Sequence, residues 1–141
     1  MTPETVFAIA NMSALLGWLV LAAGIALNRP LLRDTLAGLW IPIALAGAYT
    51  ILILVFWWSA EGGFDTLGHV QTRFTSPWIA LGGWVHYLCV DLFAGALLSR
   101  RIMAAKFSRL WLIPILPLAF LFGPIGFVLA QVLLFTRKGT V

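Results

Sequence analysis

The residue best suited to chemistry is an aspartate in the middle of a long apolar run. Asp91 lies in the stretch Tyr87-Leu-Cys-Val-Asp91-Leu-Phe-Ala-Gly95, where nothing else is charged. If this run forms a membrane helix, rising about 1.5 Å per residue, Asp91 lies about 12 Å from its end at Ser99, close to the bilayer midplane. A carboxylate at that depth costs at least about 2.5 to 3.5 kcal/mol on insertion scales. We therefore expect Asp91 to face the protein interior in its neutral form, either as a catalytic acid or as a partner in structural hydrogen bonds.

Two aromatic residues with polar groups share a helical face with Asp91. At about 100° per residue, Trp84 and Tyr87 fall in the same sector as Asp91, together with Gly95, which allows a neighbouring helix to approach closely. Tyr87 is therefore a candidate catalytic proton carrier, and Trp84 is a candidate substrate-binding residue. The alternative is that these aromatic residues serve only as packing or interfacial anchors.

His86 is the other candidate catalytic proton carrier, but it lies on a different face of the same helix. It is close to Asp91 in depth and about 140° away around the helix axis. A regular helix cannot bring the two side chains together. His86 would act on the same ligand only if the cleft wraps around the helix, and the alternative is a hydrogen bond to a neighbouring helix.

Residues on the other apolar runs extend the predicted substrate-binding site. They are Asn11 in the outer half of the first run, Tyr49 and Thr50 near the middle of the second, and Gly123, Pro124 and Gln131 in the fourth, with Gln131 in its outer half. Pro124 cannot donate a helical hydrogen bond, so it frees the carbonyl of Phe120 and predicts a kink or break. Irregular backbone in mid-membrane is tolerated only where protein or a cavity receives it. These features predict a polar pocket inside an apolar bundle, and the alternative is that Pro and Gly only shape helix packing.

The composition requires lipid as the solvent around these elements. Of 141 residues, 62% are hydrophobic and 10% are charged, with a mean hydropathy of +1.01, whereas a soluble domain carries about 25% charged residues. A bilayer core of about 30 Å needs roughly 20 apolar residues in a helix. The runs at 5–27, 36–60, 77–99 and 110–136 meet that length. The prediction is an all-α fold, a four-helix transmembrane bundle with a kinked fourth helix, in a single integral membrane domain over residues 1–141.

Basic residues cluster at the ends of the apolar runs, which favours a membrane protein over a nucleic-acid-binding one. The net charge is +4, with six Lys or Arg residues around the first and third connections and three on the opposite side. Because cytoplasmic loops carry the excess of Lys and Arg, we expect a multi-pass protein of a bacterial inner membrane with both termini in the periplasm. The start of the chain lacks the basic region of a signal peptide, so we expect the first helix to be retained.

The sequence predicts neither a metal site nor a cofactor. Cys89 is the one cysteine and lies in an apolar run, where it is expected to be a buried thiol. The second histidine, His69, lies in a loop with no ligand partner at a suitable spacing. That loop, from Glu61 to Ser76, carries apolar residues at helical spacing, so an interfacial amphipathic helix and an ordinary polar loop both fit it.

The chain resembles the abscisic-acid-deficient-four family over roughly its whole length. The most specific similarity is the run of Trp, His, Tyr, Asp and Gly around the central aspartate, and the Gly-Pro-x-Gly run near the C-terminus also fits the family. The stretches that carry the resemblance are Phe64-Asp-Thr-Leu-Gly-His, Ser76-Pro77-Trp78, Gly83-Trp84-Val-His86-Tyr87-Leu-Cys-Val-Asp91-Leu-Phe93-Ala-Gly95 and Phe122-Gly123-Pro124-Ile-Gly126.

The resemblance implies a role in carotenoid or isoprenoid chemistry. Plant members of the family act in plastids, where they are needed to form neoxanthin from violaxanthin. Opening an epoxide to an allenic alcohol needs no redox cofactor, but it needs an acid to protonate the oxygen and a base to take a proton from the polyene. An apolar site can keep a carboxylic acid neutral and able to donate a proton. Asp91 is therefore the candidate acid of an isomerase, with His86 or Tyr87 as the second proton carrier.

Two other functions stay open at this point. A non-catalytic pigment- or lipid-binding subunit that supports a partner complex would use the same pocket without acid–base chemistry. A small proton-coupled exporter would use Asp91 as its membrane carboxylate. The expected partners are an apolar lipid or carotenoid ligand, the bilayer, and a second copy of the chain or another membrane protein.

Overall fold

The protein is built from helices and short connections. The computed structural model describes residues 1–138, with side chains up to residue 136. Its α-helices are α1 (Pro3–Ala26), α2 (Ile41–Phe56), α3 (Leu67–Phe74), α4 (Pro77–Ala104), α5 (Leu112–Leu121) and α6 (Gly123–Lys138). π-helical turns over Leu31–Trp40 lead into α2, 3₁₀ turns over Trp57–Ser59 follow it, and 3₁₀ turns over Arg109–Trp111 precede α5. No strand occurs in the described range, so the all-α prediction is confirmed.

Three of the helical segments are long and apolar enough to cross a membrane. They are Pro3–Ala26, Leu31–Ser59 and Pro77–Ala104, with 24, 29 and 28 residues and peak hydropathies of 2.0, 2.3 and 1.5. A membrane helix needs about 20 residues, so these segments correspond to the first three predicted spans. The third is longer than predicted, because α4 continues beyond Ser99 through Arg100 and Arg101 to Ala104.

The C-terminal apolar run is divided into two helices. We predicted one kinked helix over residues 110–136, whereas α5 ends at Leu121 and α6 begins at Gly123. Phe122 between them has φ −144° and ψ 59°, which is not helical. The amide of Ile125 then donates to the Phe122 carbonyl at 2.7 Å. Pro124 therefore lies in the first turn of a new helix, where a missing N–H is tolerated.

The predicted amphipathic segment of the middle connection is a helix. α3 begins after Thr66, whose side-chain oxygen accepts a hydrogen bond from the His69 amide at 3.2 Å. Arg73 near its end holds the connection against α2: its guanidinium lies 4.4 Å from the centre of the Trp57 ring and donates to the Trp57 carbonyl at 3.1 Å. The connection therefore folds over the end of the protein that carries the N-terminus, which we call the terminal end.

α4 is the central helix, because it packs against α1, α2, α5 and α6. Half of its most apolar window is buried inside the protein, compared with 28% for α1. Close contacts between helices depend on missing side chains: a Cβ on Gly95 would lie 2.8 Å from Cζ3 of Trp18 on α1. α1 and α4 run in the same direction, since Asn11 contacts Trp84 and Trp18 contacts Gly95.

The opposite end of the protein is rich in arginine, and its basic groups are fixed by local contacts. Arg109 donates to the carbonyl of Ile25 at 3.0 Å, which caps the C-terminal end of α1. Arg33 pairs with Asp34 at 2.7 Å and also donates to the sulfur of Met103 at 3.0 Å. These bonds connect the first and third connections, as expected for neighbours on one side of a bundle.

Candidate active site

Asp91 faces the protein interior, as the sequence indicated. Asp91 is only 8% exposed, and its side chain lies on the side of α4 that meets the start of α6. The carboxyl packs against the backbone of Gly123: a Cβ added there would collide with Oδ1 and lie 2.9 Å from Cγ. Gly123 is therefore needed for Asp91 to occupy this position.

Tyr87 connects Asp91 with the break between α5 and α6. Its hydroxyl lies within donating distance of the carbonyls of Leu121, at 2.9 Å, and Phe120, at 3.2 Å. Both acceptors lack a helical donor, since Pro124 has no N–H for Phe120 and the Ile125 amide bonds Phe122 instead of Leu121. The predicted release of the Phe120 carbonyl is confirmed, and Tyr87 is the group that satisfies it.

Tyr87 is also a neighbour of Asp91 on α4. It precedes Asp91 by one helical turn, so the two side chains lie on one face of the helix. Oδ2 of Asp91 is buried and has no hydrogen-bond partner among the residues that the structure describes. The pair thus combines a carboxyl group, one oxygen of which has no hydrogen-bond partner in the described part of the chain, with a neighbouring hydroxyl that can carry a proton to or from that carboxyl group.

Tyr87 borders an apolar cavity of about 330 Å³ between α1, α4 and α5. A second cavity of about 350 Å³ follows towards the terminal end, between the start of α1 and the start of α4. Trp84 lines both, and we call the two cavities together the α1–α4 groove, with an inner and an outer part. The inner part is lined by Asn11, Ala14, Leu15, Trp84, Tyr87, Leu88, Phe120 and Leu121. The outer part is lined by Pro3, Glu4, Phe7, Pro77, Ala80, Leu81 and Trp84.

The indole of Trp84 is held across the groove at the point where its two parts meet. Its Nε1 donates to Oδ1 of Asn11 at 2.7 Å. Its ring stacks on Tyr87, with centroids 5.3 Å apart and planes at 25°, and lies 5.9 Å from the ring of Phe7 on the other side. Trp84 therefore contacts both Asn11 and Tyr87. Trp84, Tyr87 and Asp91 lie on one face of α4, as the helical period predicted.

Pro124 borders a separate apolar depression along α6, and four other predicted site residues also lie away from this groove. His86 is on the outer surface of α4, where its ring meets Tyr49 of α2 at 5.3 Å between centroids. Thr50 is exposed, and its hydroxyl donates to the carbonyl of Ala46 within its own helix at 2.8 Å. Gln131 is about 12 Å beyond Gly123 along α6, and its Nε2 is buried without a partner among the described residues. Any role of these residues in the chemistry stays a prediction.

Some groove residues were missed from the sequence. Phe7 and Ala14 stand four residues before and three after Asn11, which places them on its helical face. Leu88 follows Trp84 by four residues, which places it on the helical face of Trp84. The period of the two helices was therefore a sufficient signal for these residues. Leu121 had no such signal, since its free carbonyl depends on the conformation of Phe122.

No group of three or more His, Cys, Asp or Glu side chains comes together in the described part of the chain. Cys89, half-buried between α4 and α2, donates its thiol to the carbonyl of Pro42 at 3.2 Å. The groove therefore has hydroxyl, carboxyl, amide and indole groups as its polar chemistry.

Long apolar helices around a buried carboxyl group indicate a small membrane protein with an internal polar site. The chain belongs to the ABA DEFICIENT 4-like family, whose model matches residues 5–129. The matched range includes α4, the break at Phe122 and most of the groove, and it confirms the family indicated by the sequence motifs. No curated protein and no solved structure matches the chain.

Proposed function

We propose that this chain is an integral membrane protein that binds an apolar isoprenoid or carotenoid in the α1–α4 groove and isomerises it by proton transfer through Tyr87 and Asp91. The observation that carries the proposal is the position of Tyr87, which stands one helical turn before the buried Asp91 and also lines an apolar cavity. A buried carboxyl group beside a cleft is a common arrangement for general acid–base catalysis.

The membrane arrangement that we propose has four spans. α5 has 10 residues and α6 has 16. Placed end to end, the two helices reach about 39 Å, which is enough to cross a bilayer core of about 30 Å. The arginine-rich end would lie in the cytoplasm, and both termini in the periplasm of a bacterium, by the distribution of basic residues. The bilayer then surrounds the groove and is the source of its apolar ligand.

The groove suits a long conjugated ligand. Its walls are apolar apart from a few polar groups, and Phe7, Trp84 and Tyr87 form a row of rings along it. Aromatic rings provide flat contact surfaces for a planar polyene. A ligand that lies along this row would have one end near Glu4 at the terminal end and the other at the hydroxyl of Tyr87.

The chemistry is a proton exchange that leaves the protein unchanged. With an epoxide as the reacting group, the Tyr87 hydroxyl gives its proton to the epoxide oxygen as a C–O bond breaks, and Asp91 restores the proton to Tyr87. A carbon of the polyene then loses a proton as the new C=C bond forms, and the Asp91 carboxylate regains that proton through Tyr87. One proton enters and one leaves, so product and substrate are isomers and no oxidant or reductant is consumed.

A second candidate function is a non-catalytic subunit that binds a pigment or lipid. The specific observation in its favour is that the Tyr87 hydroxyl already bonds the carbonyls at the α5–α6 break. In that case Tyr87 and Asp91 stabilise the broken helix, and the groove holds a ligand without converting it.

The two functions are separated by turnover and binding in matched variants. Purified protein in mild detergent is incubated with epoxy-carotenoids and simpler epoxy-isoprenoids, and products are identified by chromatography and mass spectrometry. We expect product from wild type and from Thr50→Val, a control outside the groove, and ligand binding without product from Asp91→Asn. Full turnover by folded Asp91→Asn would end the assignment of Asp91 as the acid. Binding without turnover by wild type itself would favour the non-catalytic subunit.

A further inference from the structure

The most unusual surface residue of the protein is the histidine on the outer face of α4. His86 is exposed, about 14 Å along α4 from Pro77 and therefore within the apolar part of the span. Histidines in membrane helices almost always face protein or a water-filled cavity, since acyl chains satisfy none of their hydrogen bonds. The α1–α4 groove cannot serve His86, because Trp84 and His86 are about 160° apart around the helix axis.

A second polar group lies beside it. The rings of His86 and Tyr49 are 5.3 Å apart at 53°. Within the described residues, neither the imidazole nor the Tyr49 hydroxyl has a hydrogen bond. Thr50 on the same helix is different, because its exposed hydroxyl already donates to the Ala46 carbonyl at 2.8 Å. Thr50 can face lipid at little cost, whereas both imidazole nitrogens of His86 and the hydroxyl of Tyr49 lack hydrogen-bond partners among the described residues.

The surface around the pair has the relief of a helix-packing interface. On one side is a depression of about 210 Å³ that is lined by the small residue Ala46. On the other side is one of about 270 Å³ next to Trp57 and Trp58. Small residues let helices approach closely in membranes, and bulky ones fill the opposing depressions. We call this surface the α2–α4 face.

We propose that the α2–α4 face binds a second copy of this chain about a two-fold axis, with the imidazole of His86 accepting a hydrogen bond from the partner's Tyr49. In a two-fold interface, a contact from one copy to the other is repeated in the reverse direction. Each copy supplies the Tyr49 hydroxyl as a donor and one imidazole nitrogen of His86 as an acceptor, so two equivalent hydrogen bonds form across the axis. The α1–α4 groove lies on the other side of α4 and stays open to lipid in such a dimer.

The first experiment measures dimer formation in a mild detergent and in lipid vesicles, by single-molecule photobleaching over a range of protein-to-lipid ratios. Wild type is expected to be dimeric. His86→Leu and Tyr49→Phe each remove both symmetry-related hydrogen bonds, so each should weaken the dimer roughly tenfold or more. Thr50→Val is the matched control on the same helix and should leave the dimer unchanged.

If His86 and Tyr49 face lipid instead, His86→Leu is expected to stabilise the protein and not to weaken a dimer. In that case the wild-type protein is monomeric, and His86→Leu raises its thermal stability because a polar ring leaves the acyl chains. A monomeric wild type, or His86→Leu and Thr50→Val dimers of equal strength, would overturn the proposal. Ligand binding in the groove is not part of either measurement, so the result does not depend on the proposed function.

The second experiment tests the pairing itself. Two tagged copies are co-expressed in a Cys89→Ala background, one with His86→Cys and the other with Tyr49→Cys, and disulfide formation is followed after mild oxidation. The symmetry-related contact on the other side of the axis keeps the native Tyr49 of the first copy and the native His86 of the second, and this contact holds the dimer together. We expect a cross-linked product that carries both tags. A copy with Thr50→Cys in place of Tyr49→Cys should cross-link much less, and equal yields from the two would contradict the predicted axis.

Discussion

The carboxyl group of Asp91 lies directly against the backbone of Gly123, so the middle of α4 and the first residue of α6 share one small space. The contact is possible because Gly123 has no side chain and because the chain leaves the helical conformation at Phe122. The carboxyl group on α4 therefore depends on the irregular backbone of the C-terminal run for the space that it occupies. The carboxyl occupies the place where the broken helix offers room.

The first prediction is that Gly123→Ala destabilises the protein by about 1 to 3 kcal/mol, the usual cost of forcing a methyl group into a packed site. The added Cβ would meet Oδ1, Cγ and Oδ2 of Asp91, so the carboxyl must move. Thermal unfolding in detergent, read by circular dichroism, measures the change. Gly47→Ala is the matched control, because a Cβ there has nothing within 4 Å and alanine favours a helix. Equal stability of the two variants would contradict the packing described for Asp91.

A second prediction concerns the indole that lies between the two parts of the groove. Trp84→Ala widens the groove where its two parts meet, so the longest isoprenoid alcohols of a graded series should gain affinity relative to the shortest by roughly tenfold, or about 1.4 kcal/mol. The measurement is competition against a fluorescent isoprenoid alcohol such as retinol. Trp58→Ala is the control, since Trp58 is 86% exposed and lies outside the groove. An unchanged length preference in Trp84→Ala would show that Trp84 does not limit the groove.

The helices and one face of α4 were predictable because both depend on local sequence. Length and hydropathy located the three long helices, and the period of the helix placed Trp84, Tyr87 and Asp91 together. Depth in the membrane was a weaker guide, as Asn11 and Thr50 show. Asn11 meets the groove, while Thr50 points elsewhere, because depth contains no information about the rotation of a helix around its own axis.

The conformation at the C-terminal break was only partly predictable. Pro124 indicated a lost hydrogen bond and a free Phe120 carbonyl, which depend on covalent structure alone. Whether the helix bends or ends depends on partners from other helices. Here Tyr87 satisfies the carbonyls on one side of the break and Gly123 admits Asp91 on the other, so two separate helices are stable.

A third prediction is that acid loosens α3. The His69 side chain, which pairs with Asp65 at 2.8 Å, is the main cause that holds the pKa of Asp65 below its ordinary value of 3.8. Because the pKa of Asp65 is lower in the folded loop, the interaction stabilises the loop fully at pH values above the ordinary pKa of the carboxyl group. This stabilisation is lost as the pH falls through the lower, folded-state pKa. Amide exchange in α3, corrected for intrinsic rates, should therefore increase from about pH 5 to about pH 3. Asp65→Asn should remove most of this dependence, and an unchanged profile in that variant would contradict the assignment.

The last prediction is that the stability lost in Tyr87→Phe is recovered when the proline is also replaced. Tyr87→Phe leaves the carbonyls of Phe120 and Leu121 without their donor at the wall of the apolar groove. Polar groups left unsatisfied away from water cost about 1 to 3 kcal/mol. Pro124→Ala supplies an N–H that can bond the Phe120 carbonyl in a continuous helix. A double-mutant cycle measured by thermal unfolding should show a coupling of at least about 0.5 kcal/mol, with Tyr87→Phe costing less in the Pro124→Ala background. Additive effects of the two substitutions would show that Tyr87 does not substitute for the donor that Pro124 lacks. Turnover provides the complementary readout: if Tyr87 carries the proton, Tyr87→Phe with Pro124→Ala is stable and inactive.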